Sequence, residues 1–519
     1  MDAHASIGQL FMVDFTGYVP NADVVRLIER EGVGGVILFV KNVDSAHQVA
    51  ALTNALQEIA TGAGHAPLLV SADQEGGPVT RLPREATHFP SAMAFGAAAS
   101  EALAASAAGV TARELRAVGI RMNMAPDVDV NNNPANPVIG VRSFGEDPRL
   151  VARLGSAVVR ATQAAGVLAT AKHFPGHGDT ATDSHLDLPV VAHPSAHLDA
   201  IELPPFVAAM RAGVGAVMSA HVVYPALDPD RPATLSPRVL GVLRERFGFS
   251  GLIVTDSMAM RAITDRLSPG DAAVQAILAG VDIVLACGPV AAQQEAIDAV
   301  RRAVADGHIP ASRIAEAAAR IEAAKRRLGL MERATVNPDE AASEVGASAH
   351  RDVADHAAEA AVTLVRGGRS AVPLPPGPIA VAVLADAASG VPERLAAALR
   401  AVGREAVPVP LGADAIPRGS ALVLVVGRDV GNGGTAADTL GTIVRRAVAG
   451  GPVAAVAVGV PYGLARLPRD IGCLAVYGSD PASLRAAARV LAGTLQPRGR
   501  LPVTLAEPHE SHPETIGEA

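Results

Sequence analysis

One alternation constrains this chain's fold more than any other feature. A short apolar run ends in glycine or polar residues, a helical stretch follows, and the pattern recurs eight times in the first two-thirds of the sequence. The runs are IGQLFMVDF (7–15), GVGGVILF (32–39), APLLVSAD (66–73), GIRMNMAPD (119–127), GVLATAKHF (166–174), GVGAVMSAH (213–221), GLIVTD (251–256) and VDIVLACG (281–288). Their length and continuity suit strands buried on both faces. Between them, stretches such as VARLGSAVVRATQAAG (151–166) and DAAVQAILAG (271–280) suit crossover helices. An open doubly wound sheet explains single units equally well. A round of eight favours closure and predicts an N-terminal (β/α)8 TIM barrel over residues 1–335.

The pattern shifts after Arg327. Residues 336–350 are polar and turn-prone and are expected to link two domains. Four further apolar runs follow at 379–385, 421–427, 452–460 and 472–478, with helical segments at 392–403 and 438–450. These predict a smaller C-terminal α/β sandwich domain with a mostly parallel sheet over 351–510, then a polar tail, 511–519.

A chain of 519 residues exceeds one ordinary core, in agreement with two domains. Hydrophobic residues at 49% and charged residues at 18% exclude a disordered chain. Mean hydropathy is +0.28, which raises the question of a membrane. Gly, Asp and charged residues interrupt every apolar run before the ~20 residues that a transmembrane segment needs. A net charge of -8 without a basic tract argues against nucleic acid as the main partner. The start, MDAHASIGQL, does not read as a secretory leader. Cys287 and Cys473 read as buried free thiols rather than a disulfide framework. A cytoplasmic location is therefore expected, with secretion left open if a leader has been removed. Oligomeric state is not legible.

Asp73, Asp127, Lys172, His173, His221 and Asp256 all fall at or just past the C-terminal end of an expected strand. In a barrel that rim is where sites form. One such residue could be a helix cap, but six on one rim predict a pocket.

The densest stretch is AKHFPGHGDTATDSHLDLP (171–189), whose Pro175, Gly176 and Gly178 mark it as a loop. Three readings are open. Zinc could take His177 with Asp179, or Asp183 with His185, but further ligands would have to come from elsewhere. The loop could be purely structural. In the third reading it performs acid–base chemistry: a histidine passes a proton near neutrality once a carboxylate fixes its tautomer. Asp183 lies two residues before His185, which in extended chain puts both side chains on one side.

Three more segments add polar groups. In GLIVTDSMAM (251–260), Asp256 ends a strand, either facing the rim or capping a helix. In SADQEGGPVTRL (71–82), Asp73 could hold vicinal hydroxyls; Gly76 and Gly77 permit a tight turn, and Arg81 follows. In NPVIGVRSFGEDP (136–148), Arg142 either pairs with Glu146 or Asp147 or faces a ligand. Lysine is confined to Lys41, Lys172 and Lys325, so Lys172 within the loop motif points to a site that wants a compact ammonium.

Together these segments resemble glycoside hydrolase family 3, in its bacterial β-N-acetylglucosaminidase (β-hexosaminidase) branch. KHFPGHGDT (172–180) with DSHLDLP (183–189) is the signature stretch. DQEGG (73–77), RSFG (142–145) and the TDSM around Asp256 agree in order and strand position. The resemblance covers the barrel; the second domain is similar in kind to the one that two-domain members carry. It implies a retaining, exo-acting hydrolase of terminal β-linked N-acetylglucosamine, acting on peptidoglycan fragments such as muropeptides and needing no metal or organic cofactor. It implies Asp256 as nucleophile, His185 as general acid/base on a mobile loop, and Asp183 as the group that orients His185. Asp73, Arg81, Arg142, Lys172 and His173 would hold the terminal sugar, and Gly176 and Gly178 would be hinges. Pro78 departs from the arginine common after DQEGG and removes both a charge and a backbone N–H. Action on another β-sugar, or transfer to an acceptor such as phosphate, is the alternative on the same fold. A non-catalytic sugar-binding protein is the remote one, opposed by intact Asp183, His185 and Asp256.

Overall fold

The computed structural model describes residues 3–367, 372–385, 389–411, 416, 419–427 and 451–505. The chain divides into two compact units, Met1–Ala357 and Ala358–Ala519. The expected helix at 438–450 and the tail at 511–519 lie outside the described residues.

In the first unit each of the eight expected runs supplies one strand. They are β1 (Phe11–Val13), β2 (Gly35–Leu38), β3 (Leu69–Ala72), β4 (Met122–Asn123), β5 (Leu168–Phe174) and β6 (Ala216–Ser219). A hairpin, β7 (Val223–Tyr224) and β8 (Asp228–Pro232), precedes β9 (Leu252–Thr255) and β10 (Val284–Ala286). The eight barrel strands pair in the order β10-β1-β2-β3-β4-β5-β6-β9. A parallel bridge between Val254 and Ile283 joins the two ends, so the sheet rolls into a nearly closed (β/α)8 barrel. Every residue of these eight strands is buried. Inward side chains fill the barrel and helices cover its outside, so the strands read as continuous apolar runs. At about 1.5–3 kcal/mol for each fully buried Val, Leu or Ile, this layer is the main offset to chain entropy.

Local chemistry fixes where the crossover helices begin and end. Asn21 Oδ1 accepts the Val24 N–H at 2.9 Å and starts the helix Ala22–Glu31, which Gly32 ends in the left-handed region at φ 64°. Asp147 caps the helix Pro148–Ala164 through the Arg149 N–H. That carboxylate is therefore engaged as a cap, one of the two partners weighed for Arg142.

Residues 336–350, expected as a linker, are tied to the first unit. Asn54 and Val336 exchange two hydrogen bonds at 2.8 Å. The helix Pro338–Glu344 follows, capped by Asn337. Beyond it the buried Glu114 carboxylate accepts from the Gly346 N–H and pairs with His350.

The second unit holds a six-stranded sheet in the order β11-β16-β15-β14-β12-β13. Its strands are β11 (Thr363–Arg366), β12 (Ile379–Ala385), β13 (Ala406–Pro408), β14 (Ala421–Val426), β15 (Val453–Ala457) and β16 (Gly472–Ala475). All pairs are parallel except the edge pair β11–β16. Helices Val391–Ala401 and Pro481–Leu491 pack together in this smaller α/β sandwich domain. Among the described residues, no helix is long and apolar enough to cross a membrane.

Candidate active site

The C-terminal rim of the barrel encloses a cavity of about 400 Å³. Asp73, Arg81, Arg142, Lys172, His173, His185 and Asp256 all line it, so the expected residues converge. Asp183 reaches it through His185. A larger hollow of about 790 Å³ opens beneath β6 and β9, beside Gly215 and Gly251, away from the polar rim.

The cavity floor is a charge ladder. Lys172 Nζ lies 2.7 Å from Asp73 Oδ1 and 2.6 Å from Glu75 Oε1. Glu75 also accepts from Arg142 Nε and Nη2, each at 2.8 Å. This bidentate pair answers the question left open for Arg142: its partner is Glu75, not Glu146 or Asp147. Burial pushes the Glu75 pKa up, but Arg142 and Lys172 outweigh it and hold the carboxyl well below its usual range. Burial likewise disfavours the Lys172 ammonium, and Asp73 and Glu75 more than restore it. The site therefore holds fixed charges at neutral pH.

Lys172 and His173 are consecutive yet both face the cavity, which regular strand alternation forbids. The pairing of β5 with β6 slips between Ala171 and Phe174, and this irregularity re-aims the strand end. His173 Nδ1 lies 2.7 Å from Asp129 Oδ2, and its Nε2 lies 3.3 Å from Arg142 Nη2. Arg142 can only donate, so the proton of His173 sits on Nδ1. Burial, with Arg142 beside it, lowers the His173 pKa to about 4.

Asp256 follows β9, where its Oδ1 accepts the Ser257 N–H at 2.7 Å. Burial raises its pKa, but His173, His221, that N–H and Lys172 outweigh burial and leave a net lowering. His221 spends both ring nitrogens on structure, Nδ1 on Thr234 Oγ1 and Nε2 on the Ser257 carbonyl. It thus steadies the residue next to Asp256 and is not among the lining residues.

Across the cavity, Asp183 Oδ1 accepts both the His185 backbone N–H and Nδ1–H at 2.8 Å. Side-chain exposure is 64% for His185 and 27% for Asp183, against 2% for Lys172. Ser184, between them, is the anchor. Thr180 Oγ1 donates to the His177 carbonyl and so accepts from His177 Nδ1. The Ser184 hydroxyl then donates to His177 Nε2 at 3.0 Å, and the Ser184 carbonyl accepts the Ala262 N–H.

The two loop glycines are closely packed. An added Cβ would lie 2.2 Å from Glu202 Oε2 at Gly176 and 1.8 Å from the Val130 carbonyl at Gly178. Both are buried, and solvent exposure begins at Ala181. Close packing accounts for a glycine at both positions, and exposed chain begins beyond them. Of the zinc pairs weighed from the sequence, His177 is bonded to Thr180 and Ser184, and Asp183 to His185. Two triads bring ligand-type atoms within 4.8 Å of one another. One, Asp127–Asp129–His173, already has the Arg142 guanidinium 3.6 Å from Asp127. The other, Asp179–His193–His197, lies at the loop's base.

Sequence reasoning missed Glu75, Asp129 and Ser184. Glu75 sits inside the quoted DQEGG, and Asp129 two residues past a rim aspartate; only their buried basic neighbours give them meaning.

A parallel α/β barrel whose C-terminal rim cavity gathers three carboxylates, three cations and an exposed imidazole has the layout of a barrel enzyme with a polar pocket. Residues 3–324 match the Glycosyl hydrolase family 3 N terminal domain, and the chain belongs to that family. It is 42% identical over 313 residues to "Beta-hexosaminidase A" of Pseudoalteromonas piscicida, a match over 54% of this chain and 52% of that protein. The chain thus spans about half the length of that relative. It is 41% identical over 290 residues to "Beta-hexosaminidase" of Xanthomonas oryzae pv. oryzae, covering 54% of this chain and 84% of that one. Its structure resembles a glycoside hydrolase family 3 β-N-acetylglucosaminidase from Paenibacillus sp. str. FPU-7, with TM-score 0.89, 36% identity, and 97% and 99% of the two chains covered.

Proposed function

We propose that this chain is a retaining, exo-acting β-N-acetylglucosaminidase that releases terminal, non-reducing β-linked N-acetylglucosamine through a covalent glycosyl-enzyme intermediate. The observation that carries the reading is that Asp256 and the Asp183-held His185 line one cavity above a fixed polar floor. Likeness to proteins named as β-hexosaminidases and to a family 3 β-N-acetylglucosaminidase supports the choice of sugar.

Asp256 Oδ1 is occupied by the Ser257 N–H, so Oδ2 is the oxygen that attacks the anomeric carbon. His185 Nε2–H gives its proton to the departing oxygen as the glycosidic bond breaks. Asp183 keeps Nδ1 protonated and stabilises the imidazolium that precedes the transfer. In the second step His185 Nε2 takes a proton from water, whose oxygen attacks the anomeric carbon and frees Asp256. Two inversions give retention. Asp73, Arg81, Lys172, Arg142 and His173 hold the sugar hydroxyls. Cell-wall fragments with β-N-acetylglucosaminyl ends are the natural substrates on this reading.

A panel of aryl β-glycosides tests the proposal. The N-acetylglucosaminide should be cleaved fastest, with the β-anomer appearing first by NMR in inert buffer and in phosphate alike. Faster turnover of the aryl glucoside, or a sugar phosphate as product, would overturn it. Asp256→Ala should lower turnover by at least about 10⁴-fold while sugar binding persists.

A further inference from the structure

Asp179 stands at the start of the exposed part of the loop, and His193 and His197 stand beyond its end. His193 Nε2 lies 2.5 Å from Asp179 Oδ2. The His193 and His197 rings are stacked, with centroids 4.0 Å apart and planes 21° apart. His197 Nε2 is buried and has no hydrogen-bond partner. A buried polar atom without a partner is unfavourable, which makes this pair of rings a candidate for a ligand.

We propose that Asp179, His193 and His197 form a binding site for a divalent transition metal, Zn²⁺ by the chemistry of its donors, which clamps the base of the loop bearing Asp183 and His185. Two imidazoles and one carboxylate form a borderline N/O donor set of the kind zinc takes, and His-x3-His is a spacing zinc sites use. The three candidate ligand atoms already lie within 4.8 Å of one another. Zinc bonds of about 2.0–2.2 Å require the Asp179–His193 contact to open slightly. They also require the His197 ring to turn out of its stack, which breaks no hydrogen bond at Nε2.

A metal here would join residues 179 and 193 across the segment that presents the dyad. Closing a ring removes conformations from that segment and from the unfolded chain. The ion takes no part in bond making or breaking. Its effect on turnover rests on His185 being the acid/base; its binding does not.

The experiment is a calorimetric titration of the chelator-treated full chain with Zn²⁺, with Co²⁺ absorption as a second probe of the donor set. The parent should bind one equivalent. His193→Ala and His197→Ala should each weaken binding by more than the roughly 10–100-fold typical of losing an outer partner. Asp179→Asn serves as a third variant should either alanine fail to fold. Hydrogen exchange across 181–190 should slow on binding in the parent and stay unchanged in His197→Ala. The inference is overturned if the parent takes up no stoichiometric metal. It is equally overturned if His197→Ala binds as the parent does, or if His185→Ala abolishes binding, since the ion would then sit on the dyad. None of these readouts needs a substrate, so an error in the proposed activity would leave them intact.

Discussion

Asp183 grips His185 twice through a single oxygen, Oδ1, which accepts both the backbone N–H and the Nδ1–H at 2.8 Å. The imidazole therefore presents Nε2 to the cavity in a defined tautomer. Asp183→Ala should lower kcat by on the order of 10²-fold on substrates with poor leaving groups. The loss should shrink on activated aryl glycosides, where protonation matters less. A kcat series across leaving groups checks this, and an equal loss for all would remove His185 from the acid role.

Glu75 separates two buried cations, and its neutral isostere cannot. Glu75→Gln would leave Lys172 and Arg142 facing each other with less compensation, a defect worth about 3–5 kcal/mol. Chemical denaturation should show that loss, and KM should rise as the floor loosens. An unchanged denaturation midpoint would mean that the ladder is not a stabilising unit.

Asp127 makes a pH prediction with a definite sign. Burial and then Asp129 raise its pKa to about 7, despite Arg142 and His173, and Oδ2 has no hydrogen-bond partner. Between about pH 4 and 7 the folded state binds more protons than the unfolded one. The contribution to stability is thus complete below about pH 4 and lost as pH rises through 7. Asp127→Asn lacks this titration. The stability gap should shift in favour of the variant by on the order of 3 kcal/mol from pH 4 to 8, measured by denaturation at each pH. His173 and His177, both lowered to about 4 chiefly by burial, act oppositely: their contribution is present above about pH 6.5 and fades as pH falls toward 4. Both proteins carry them, so they largely cancel in the comparison.

Gly178→Ala should be costly although alanine is small. Its Cβ would fall 1.8 Å from the Val130 carbonyl, so backbone must move. We expect a loss of about 1–3 kcal/mol by thermal denaturation, with lower kcat, because the displaced turn carries His177 and hence Ser184. An unchanged melting temperature would show that the turn yields freely.

The barrel was legible because each strand is a continuous apolar run followed by a helical stretch, whereas caps such as Asn21 and Asp147 emerged only from the structure. The rim was legible for the same reason: strand ends fix where Asp73, Lys172 and Asp256 emerge. The hairpin β7–β8 was not, since DPDRP has no strand character and pairs only through tertiary context. Edge strands β11 and β13 were not legible because they are largely uncovered and lack a continuous buried apolar run. Glu75 and Asp129 escaped because a buried carboxylate is defined by its counter-charges, and those come from distant strands. The close packing at Gly176 and Gly178 was not legible, because sequence shows the freedom of a glycine but not the wall beside it.

Asp256 and His185, the two groups of the proposed mechanism, stand on very different foundations. Asp256 is set at the end of a fully buried strand, whereas His185 rides on an exposed connecting segment fastened mainly through Ser184. Substitutions in that segment can therefore redesign proton transfer with little penalty to folding. Screens that select for solubility or heat resistance would then pass versions that differ at His185 alike.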